Sequence, residues 1–566
     1  MIILHDSSTS DLSHIQAIAK IEEGFALFDY VSIEQTNGMS WIGQIVQPNQ
    51  NISTVGGRLD PTILHGLQLM QIHTDIQSVE SVQVFDILIL GQYDNKTMLT
   101  PRLRPLPGAV VKKLDATTTS QVISIPAQIT HVDKTTNVIG ELLNADNVPL
   151  CITEEKFNYH ISISGGTGSG KSNAAANLIY QALNYKKCVL VHDAKPDYGF
   201  VHKPNSDKVV ENIWEQFKKY GLKPKEATAV KRVGFYGKCD PQNVSIVVGF
   251  RASDFVPEML GGLFFFSSSN SAEQNAFEGF VNAAYSLYRK KQNKQIQEYS
   301  LDDILQEVIR RSDPNNPVTP IDAIHVETGK SIQRKVNSRR KGMPWLDTVG
   351  KNAGVQATNK LKASQLDGVA KEVQAFNLES FVDKGILLVI DYAQMDEQSY
   401  ALILSYFLRI CHEYRRRRGE TGIVQMVDEA HRIFDNESRH NSSLSRAFEI
   451  VMREGRSVDH SIILSLQNAS QIPPRVMNNL NTKIVMRQNS KHEADASTQT
   501  MGKDFSPQSM RLGTGHALVS VHESRAIVLA QMAPSPFELM RNDNTKRESK
   551  PQQTGESYSD AGDSDF

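Results

Sequence analysis

Cysteine is scarce in these 566 residues: there are four, Cys151, Cys188, Cys239 and Cys411, far apart and in no Cys-x-x-Cys pair. Such spacing argues against a structural zinc site or a disulfide framework and fits a reducing cytoplasm. Long apolar runs are also missing. Leu263-Phe264-Phe265-Phe266 is a short core or interface patch, and no stretch approaches the length that spans a bilayer, so no membrane association is expected. The start, Met1 to Asp6, lacks a cationic segment followed by an apolar run, so no signal peptide is expected. Nor does either sign of charge dominate. With 61 Lys and Arg against 63 Asp and Glu, the net charge of −2 excludes a uniformly basic nucleic-acid coat but leaves room for a locally basic channel. What remains is ordinary globular composition, 40% hydrophobic and 22% charged, in a chain long enough for two or three domains.

One stretch organises the rest. Gly165-Gly166-Thr167-Gly168-Ser169-Gly170-Lys171-Ser172 fits the phosphate-binding pattern G-x-x-x-x-G-K-[ST] at every fixed position. Before it, His160 to Ser164 alternates Ile161 and Ile163 as a strand does. After it, Asn173 to Leu183 is alanine-rich with apolar residues at helical spacing. In a strand, glycine loop and helix, successive backbone N–H groups and the positive helix end wrap a polyphosphate. Residues Gly165 to Asn173 are therefore the expected nucleotide cradle, with Lys171 on the β/γ-phosphates and the Ser172 hydroxyl on Mg²⁺. The expected ligand is ATP with Mg²⁺.

Taken in order, residues 1–113 read as a small β-barrel, with short apolar runs separated by turn signals. Phe25 to Ile33 and Trp41 to Val46 flank an Asn37-Gly38 hairpin step, and Val82 to Leu90 is a further strand. Residues 114–150 read as a connector with a strand near its end, around Val148 to Ile152. Residues 151–540 read as the nucleotide-binding core, an α/β fold of the P-loop NTPase type (RecA/FtsK-like) with a parallel sheet. Its expected strands are Lys187 to Asp193, Gly385 to Asp391, Gly422 to His431, Ser461 to Gln467 and Thr482 to Met486. Between the first two, residues from about 200 to 378 turn polar and helix-periodic, which predicts a helical insertion. The tail, 541–566, has the composition of a disordered segment.

A P-loop needs a second acidic strand end to complete its metal site. Asp428 supplies a carboxylate toward Mg²⁺, and the adjacent Glu429 is placed to orient or deprotonate the attacking water. Asp391 also ends an apolar strand, but Tyr392 follows it and no second carboxylate does. Gln467 ends another strand, where a side-chain amide can sense the γ-phosphate. Arg453 and Arg456, at a helix end, are candidates to reach a neighbouring subunit's γ-phosphate; as lone residues they read equally as solvated helix-end charges. Two basic clusters stand out, Lys330, Arg334, Lys335, Arg339, Arg340 and Lys341 in the insertion and Arg415 to Arg418 at a helix end. Either could face DNA phosphates, though arginines at a helix C-terminus also satisfy the helix dipole.

On these residues the chain resembles the HerA branch of the HerA/FtsK ATPases. The resemblance rests on the barrel ending in Arg104-Pro105-Leu106-Pro107-Gly108, then Gly140-Glu141-Leu142 and Val148-Pro149-Leu150, the P-loop entered from His160, and the Asp193 strand. It continues through the insertion, Val427-Asp428-Glu429-Ala430-His431, Arg453-Glu454-Gly455-Arg456 and Gln467. Departures fall at Tyr159, where the family often carries Arg or Lys, at Asn468-Ala469, and in the altered turn Asp193-Ala194-Lys195-Pro196-Asp197-Tyr198. The resemblance implies a hexameric ring that translocates or unwinds double-stranded DNA, with the barrel serving assembly and docking of a nuclease or a sirtuin-like, NAD-consuming effector in DNA processing or anti-phage defence. A scaffold whose ATP turnover regulates an effector is the alternative. A secretion or conjugation ATPase fits less well, given the barrel and the lack of a membrane-spanning stretch.

Overall fold

A computed structural model of the protein describes residues 1–4, 13–49, 54–55, 58–59, 65, 67–70, 82–93, 98–123, 138–240, 243–265, 271–315, 322–349, 373–417, 419–434, 442–502, 505–521 and 526–540. The expected disordered tail, Arg418 and part of the expected connector lie outside the described residues.

Alternating apolar residues near the N-terminus form β1 (Ile2–Ile3), β2 (His14–Lys20), β3 (Tyr30–Glu34), β4 (Ser40–Asn49), β5 (Val82–Tyr93) and β6 (Val110–Lys113). They join in the order β2-β1-β6-β3-β4-β5, and β5 pairs back onto β2, closing an antiparallel barrel. Ala17, Ile33, Trp41, Ile45, Ile87 and Val111 share its core. The β3–β4 turn is the one expected, with Gly38 at φ 83° and its N–H donating to Gln35 O at 3.0 Å. The hairpin's first strand starts later than its apolar run, at Tyr30, because Phe28 takes a left-handed φ of 71° and leaves the ladder.

The core is a thirteen-stranded sheet. In chain order its strands are β7 (Val138–Leu142), β8 (Pro149–Cys151), β9 (Ile161–Ser164), β10 (Cys188–Asp193), β11 (Val230–Phe235), β12 (Ile246–Gly249), β13 (Val373–Ala375), β14 (Leu387–Asp391), β15 (Ile423–Val427), β16 (His460–Leu466), β17 (Thr482–Met486), β18 (His516–Ser520) and β19 (Ile527–Met532). The spatial order is β8-β7-β19-β18-β17-β9-β16-β15-β10-β14-β11-β12-β13. Every neighbouring pair from β17 to β13 is parallel, and β18, β19, β7 and β8 add an antiparallel flank.

The principal helices are α1 (Lys171–Asn184), α2 (Pro257–Phe264), α3 (Ser271–Gln292), α4 (Leu301–Ser312), α5 (Val326–Arg339), α6 (Glu397–Arg416) and α7 (Ser442–Glu454). Buried parallel strands carry apolar residues on both faces, and the alternation sorts them. Val189 and Val191 pack with Ala175 and Leu178 of α1, while Leu190 between them packs with the cluster holding Leu404 and Phe407 of α6.

Two expectations need correcting. The span expected to be a helical insertion holds α2 to α5, but it also supplies β11, β12 and β13 to the parallel edge of the sheet. These strands have only three to six residues and sit in polar sequence, so helical periodicity nearby hides them. The expected connector contributes β7 and β8, so the core sheet begins before residue 151. Barrel and core are joined directly. Gln44 Nε2 donates to Ile527 O at 2.6 Å, Tyr30 Oη donates to the same oxygen at 3.1 Å, and Phe28 stacks on Phe505 at 6.0 Å. Among the described residues no helix is long and apolar enough to cross a membrane.

Asp347 locks the insertion to its base. Its Oδ1 accepts from Ala252 N at 2.8 Å and its Oδ2 from Leu301 N at 2.6 Å, the first residue of α4. Burial pushes its carboxyl up to about 6, against the two backbone donors. An acid with a raised folded-state pKa binds its proton more tightly folded than unfolded. Stability from this group is therefore present at low pH and lost as pH rises from about 4 through about 6, by up to about 3 kcal/mol. Urea unfolding of the wild type and Asp347→Asn across pH 4–7 should show this slope in the wild type and a flatter one in the variant.

Candidate functional site

Parallel strands β9, β16, β15 and β10 lie side by side and end at one edge of the sheet, so the segments leaving them converge. Ligands of open α/β sheets bind at this carboxyl edge. The P-loop leaves β9, Gln467 follows β16, Asp428-Glu429 follows β15, and the Asp193–Tyr198 turn follows β10.

The loop's shape depends on its glycines. Gly168 and Gly170 stand at φ 74° and 109°, where a side chain would be strained. A Cβ on Gly166 would meet Asn489 side-chain atoms at 2.4 Å. Gly166 N donates to Arg487 O at 2.8 Å and Ser169 N to Gly166 O at 3.3 Å, which fixes the loop over the start of α1. Asn173, one turn into that helix, accepts from Ser535 N at 3.2 Å through its Oδ1. Lys171 is buried and turned back on the loop, its Nζ donating to Gly165 O at 2.7 Å and Gly166 O at 3.0 Å. Burial lowers its pKa, and the carboxylates of Glu429 and Asp428 oppose that shift.

Glu429 sits at φ 50°, an uncommon left-handed conformation for a residue with a side chain. There its Oε1 accepts from Gln467 Nε2 at 2.7 Å and pairs with Lys195 Nζ at 3.0 Å. His431 Nε2 lies 3.5 Å from its Oε2, and Gln467 N approaches His431 Nδ1 at 3.4 Å. The carboxylate and amide expected from sequence are thus brought together.

Asp428 is buried, with its N–H donating to His192 O at 3.1 Å and its carbonyl accepting from Tyr400 Oη at 3.2 Å. Among the described residues its Oδ2 has no hydrogen-bond partner. Burial first, then the Glu429 charge, pushes its carboxyl up to about 7. A buried carboxylate oxygen left without a donor fits a divalent cation. Ser172, whose Oγ donates to Asp197 Oδ2 at 3.1 Å, is the second expected ligand. Mg²⁺ takes one or two protein ligands and completes its shell with phosphate oxygens and water, and Asp428 and Ser172 would be those two.

Sequence reasoning marks the turn after β10 only as an altered family feature and gives its residues no role. Burial raises the pKa of Asp193 well above the usual carboxylate range, with the Asp428 charge second. Its Oδ2 accepts from Tyr198 N at 3.1 Å and anchors the turn. Lys195 and Asp197 then reach Glu429 and Ser172. The available signal was an acidic strand end followed by Lys-Pro-Asp.

Arg453 and Arg456 do not join this edge. They precede β16 rather than follow it, at the opposite end of the sheet from the P-loop. Both are exposed, at 73% and 61% of the side chain. Arg453 pairs with Glu454 at 3.0 Å, and Arg456 lies over the Tyr159 ring at 4.1 Å. Asp391, the rival acid, lies 3.9 Å from Arg232, and its Oδ1 accepts from Ala393 N at 3.0 Å. Of the insertion's basic cluster, Lys330 pairs with Glu327 at 2.9 Å, Lys335 with Glu273 at 3.1 Å and Arg340 with Asp302 at 2.6 Å. Arg415 is a structural residue, its Nε donating to Val458 O at 2.6 Å.

A glycine loop opening a helix, an acidic strand end two strands away and a glutamine between them define a P-loop ATPase. Residues 137–411 match the family described as "Helicase HerA, central domain". Over that span, just under half of the chain, it is similar to the HerA-like ATPases. Among solved structures it is similar to VirB4 of Thermoanaerobacter pseudethanolicus, with 14% identity, TM-score 0.43, and coverage of 70% of this chain and 96% of that one. It is similar as well to the bacterial conjugative coupling protein TrwBΔN70, with 11% identity, TM-score 0.42, and coverage of 75% and 95%. A shorter likeness is to the genome-packaging NTPase B204 of Sulfolobus turreted icosahedral virus 2, at 18% identity, TM-score 0.23, and coverage of 28% and 72%. No curated protein matches the chain.

Proposed function

We propose that the chain hydrolyses ATP with Mg²⁺ and couples turnover to movement of double-stranded DNA through a ring of identical subunits. The observation that carries the hydrolytic part is Glu429, held by Gln467 and Lys195 beside the P-loop lysine. Lys171 leaves the Gly165 and Gly166 carbonyls for the β/γ-phosphates, and Ser172 with Asp428 would hold Mg²⁺, which would supply charge neutralisation at the transferring phosphoryl group. Glu429 accepts a proton from water as that oxygen bonds the γ-phosphorus. The bond to the β–γ bridging oxygen breaks, and ADP leaves with its electron pair. Gln467, hydrogen-bonded to the base, senses whether the γ-phosphate is present.

Arg453 and Arg456, exposed and remote from their own P-loop, are proposed to act on a neighbouring subunit's nucleotide. The finer reading is a hexamer acting in DNA processing or anti-phage defence with a nuclease or a sirtuin-like, NAD-consuming effector on the barrel. Exposed apolar residues there, Leu103 at 54% and Leu106 at 57%, support a docked protein. Ion pairing of Lys330, Lys335 and Arg340 favours the second reading, a scaffold that regulates an effector with DNA motion incidental.

Steady-state ATP hydrolysis with and without double-stranded DNA, titrated with salt, separates the two. The motor predicts stimulation that fades steeply as salt rises, because phosphate contacts release counterions. Hydrolysis indifferent to DNA at every salt concentration rejects the motor and leaves the scaffold.

A further inference from the structure

The turn after β10 places opposite charges on the two groups that hydrolysis needs. Asp193 Oδ2 anchors it by accepting from Tyr198 N, Pro196 restricts its backbone, and Lys195 and Asp197 project from either side of the proline. Asp197 accepts from the Ser172 hydroxyl at 3.1 Å, and Lys195 pairs with Glu429 at 3.0 Å. Both contacts occupy atoms that a metal–triphosphate complex would claim, namely the hydroxyl for the metal and a carboxylate lone pair for the water's proton.

Lys195 is unlike its partner in one respect. Its side chain is 47% exposed, against 7% for Glu429, so the lysine is the member of the pair that can move. It also lies within electrostatic range of Lys171 and Asp428. Around Lys171 stand three acids, Asp197, Asp428 and Glu429, and one other lysine, Lys195. An incoming triphosphate adds negative charge beside a flexible ammonium, which binds phosphate as a compact point charge.

We propose that Lys195 is a triphosphate-sensing residue that pairs with Glu429 until a nucleotide γ-phosphate draws its ammonium away and frees the carboxylate for water. This rests on the ATPase reading above and assigns a second lysine to the γ-phosphate. Without a γ-phosphate the ammonium stays on Oε1, so the base is engaged when hydrolysis is not wanted. Lys195 then makes a contact with ATP that it cannot make with ADP.

The test is equilibrium binding of ATP and ADP, each with Mg²⁺, to the full chain and to Lys195→Ala, Lys195→Arg and Lys171→Ala. Binding is measured on the Glu429→Gln background so that ATP persists. The expected result for Lys195→Ala is a fall of about tenfold in ATP affinity with ADP affinity unchanged, as loss of one charge-assisted contact supports, and recovery in Lys195→Arg. ADP binding doubles as the control for folding. Parallel loss of both nucleotides, or no change in either, overturns the proposal while the ATPase reading stands, provided Lys171→Ala abolishes binding. Failure of the parent protein to bind either nucleotide overturns both.

Discussion

Glu429→Gln is expected to slow ATP turnover by a factor of about 10²–10⁴ while leaving ATP bound, the usual contribution of a positioned general base. The substitution preserves shape, and an amide oxygen can still accept the 2.7 Å hydrogen bond from Gln467 Nε2. What it removes is the lone pair that takes the water's proton and the charge paired with Lys195 at 3.0 Å. The left-handed φ of 50° is a backbone property and should persist, so the variant should fold as the wild type does. Phosphate release and nucleotide binding, measured side by side, check the expectation. Turnover within threefold of wild type would move the base elsewhere, and among strand-end acids Asp391 would be the next to test.

The largest expected loss of stability lies in the other half of the core. Phe250→Ala should destabilise the protein by about 3–5 kcal/mol, the range for emptying a buried phenylalanine site. Phe250 is fully buried where β12 leaves the sheet, and it touches four aromatic rings. Phe255 and Tyr406 are at 5.4 and 5.2 Å, Phe235 is stacked at 6.1 Å, and Trp345 is edge-on at 6.1 Å. Its N–H donates to Trp345 O at 2.9 Å, and its carbonyl accepts from Asp347 N at 2.7 Å. The cavity would therefore open where sheet, insertion and α6 meet, and the fixed backbone would resist collapse into it. Urea unfolding followed by tryptophan fluorescence reads the change through Trp345 itself. A loss below about 1 kcal/mol would mean that the ring cluster repacks freely, against the close packing of protein interiors.

What could be read from the sequence, and what could not, follows from the range of the signals. The P-loop is contiguous, and its glycines carry their own reason, so its residues, strand and helix were legible together. The continuous apolar runs at Cys188–Asp193, Leu387–Asp391 and Ile423–Val427 likewise announce strands buried on both faces. Ile246–Gly249 and Val373–Ala375 are too short to outweigh the helical periodicity around them; the first becomes a strand because β11 offers an edge, and the second because the first does. The membership of Val138–Leu142 in the core is fixed by pairing with Ile527–Met532, nearly four hundred residues away, which no local pattern reports. Lys195 was hidden for a related reason. Its partner stands in a different strand-end loop, and only the order β15-β10 makes the two neighbours. Arg453 and Arg456 illustrate the reverse case, in which residue type suggested chemistry but position assigns them to the far end of the sheet from their own P-loop.

The central claim is that this cleft turns over ATP through the P-loop. Its most direct measurement is phosphate release by the purified full-length chain supplied with ATP and Mg²⁺, beside Lys171→Ala. The account predicts sustained release by the wild type that disappears in the variant and requires the metal. Equal release by both proteins, or none by a wild-type chain that is folded and assembled, would contradict it.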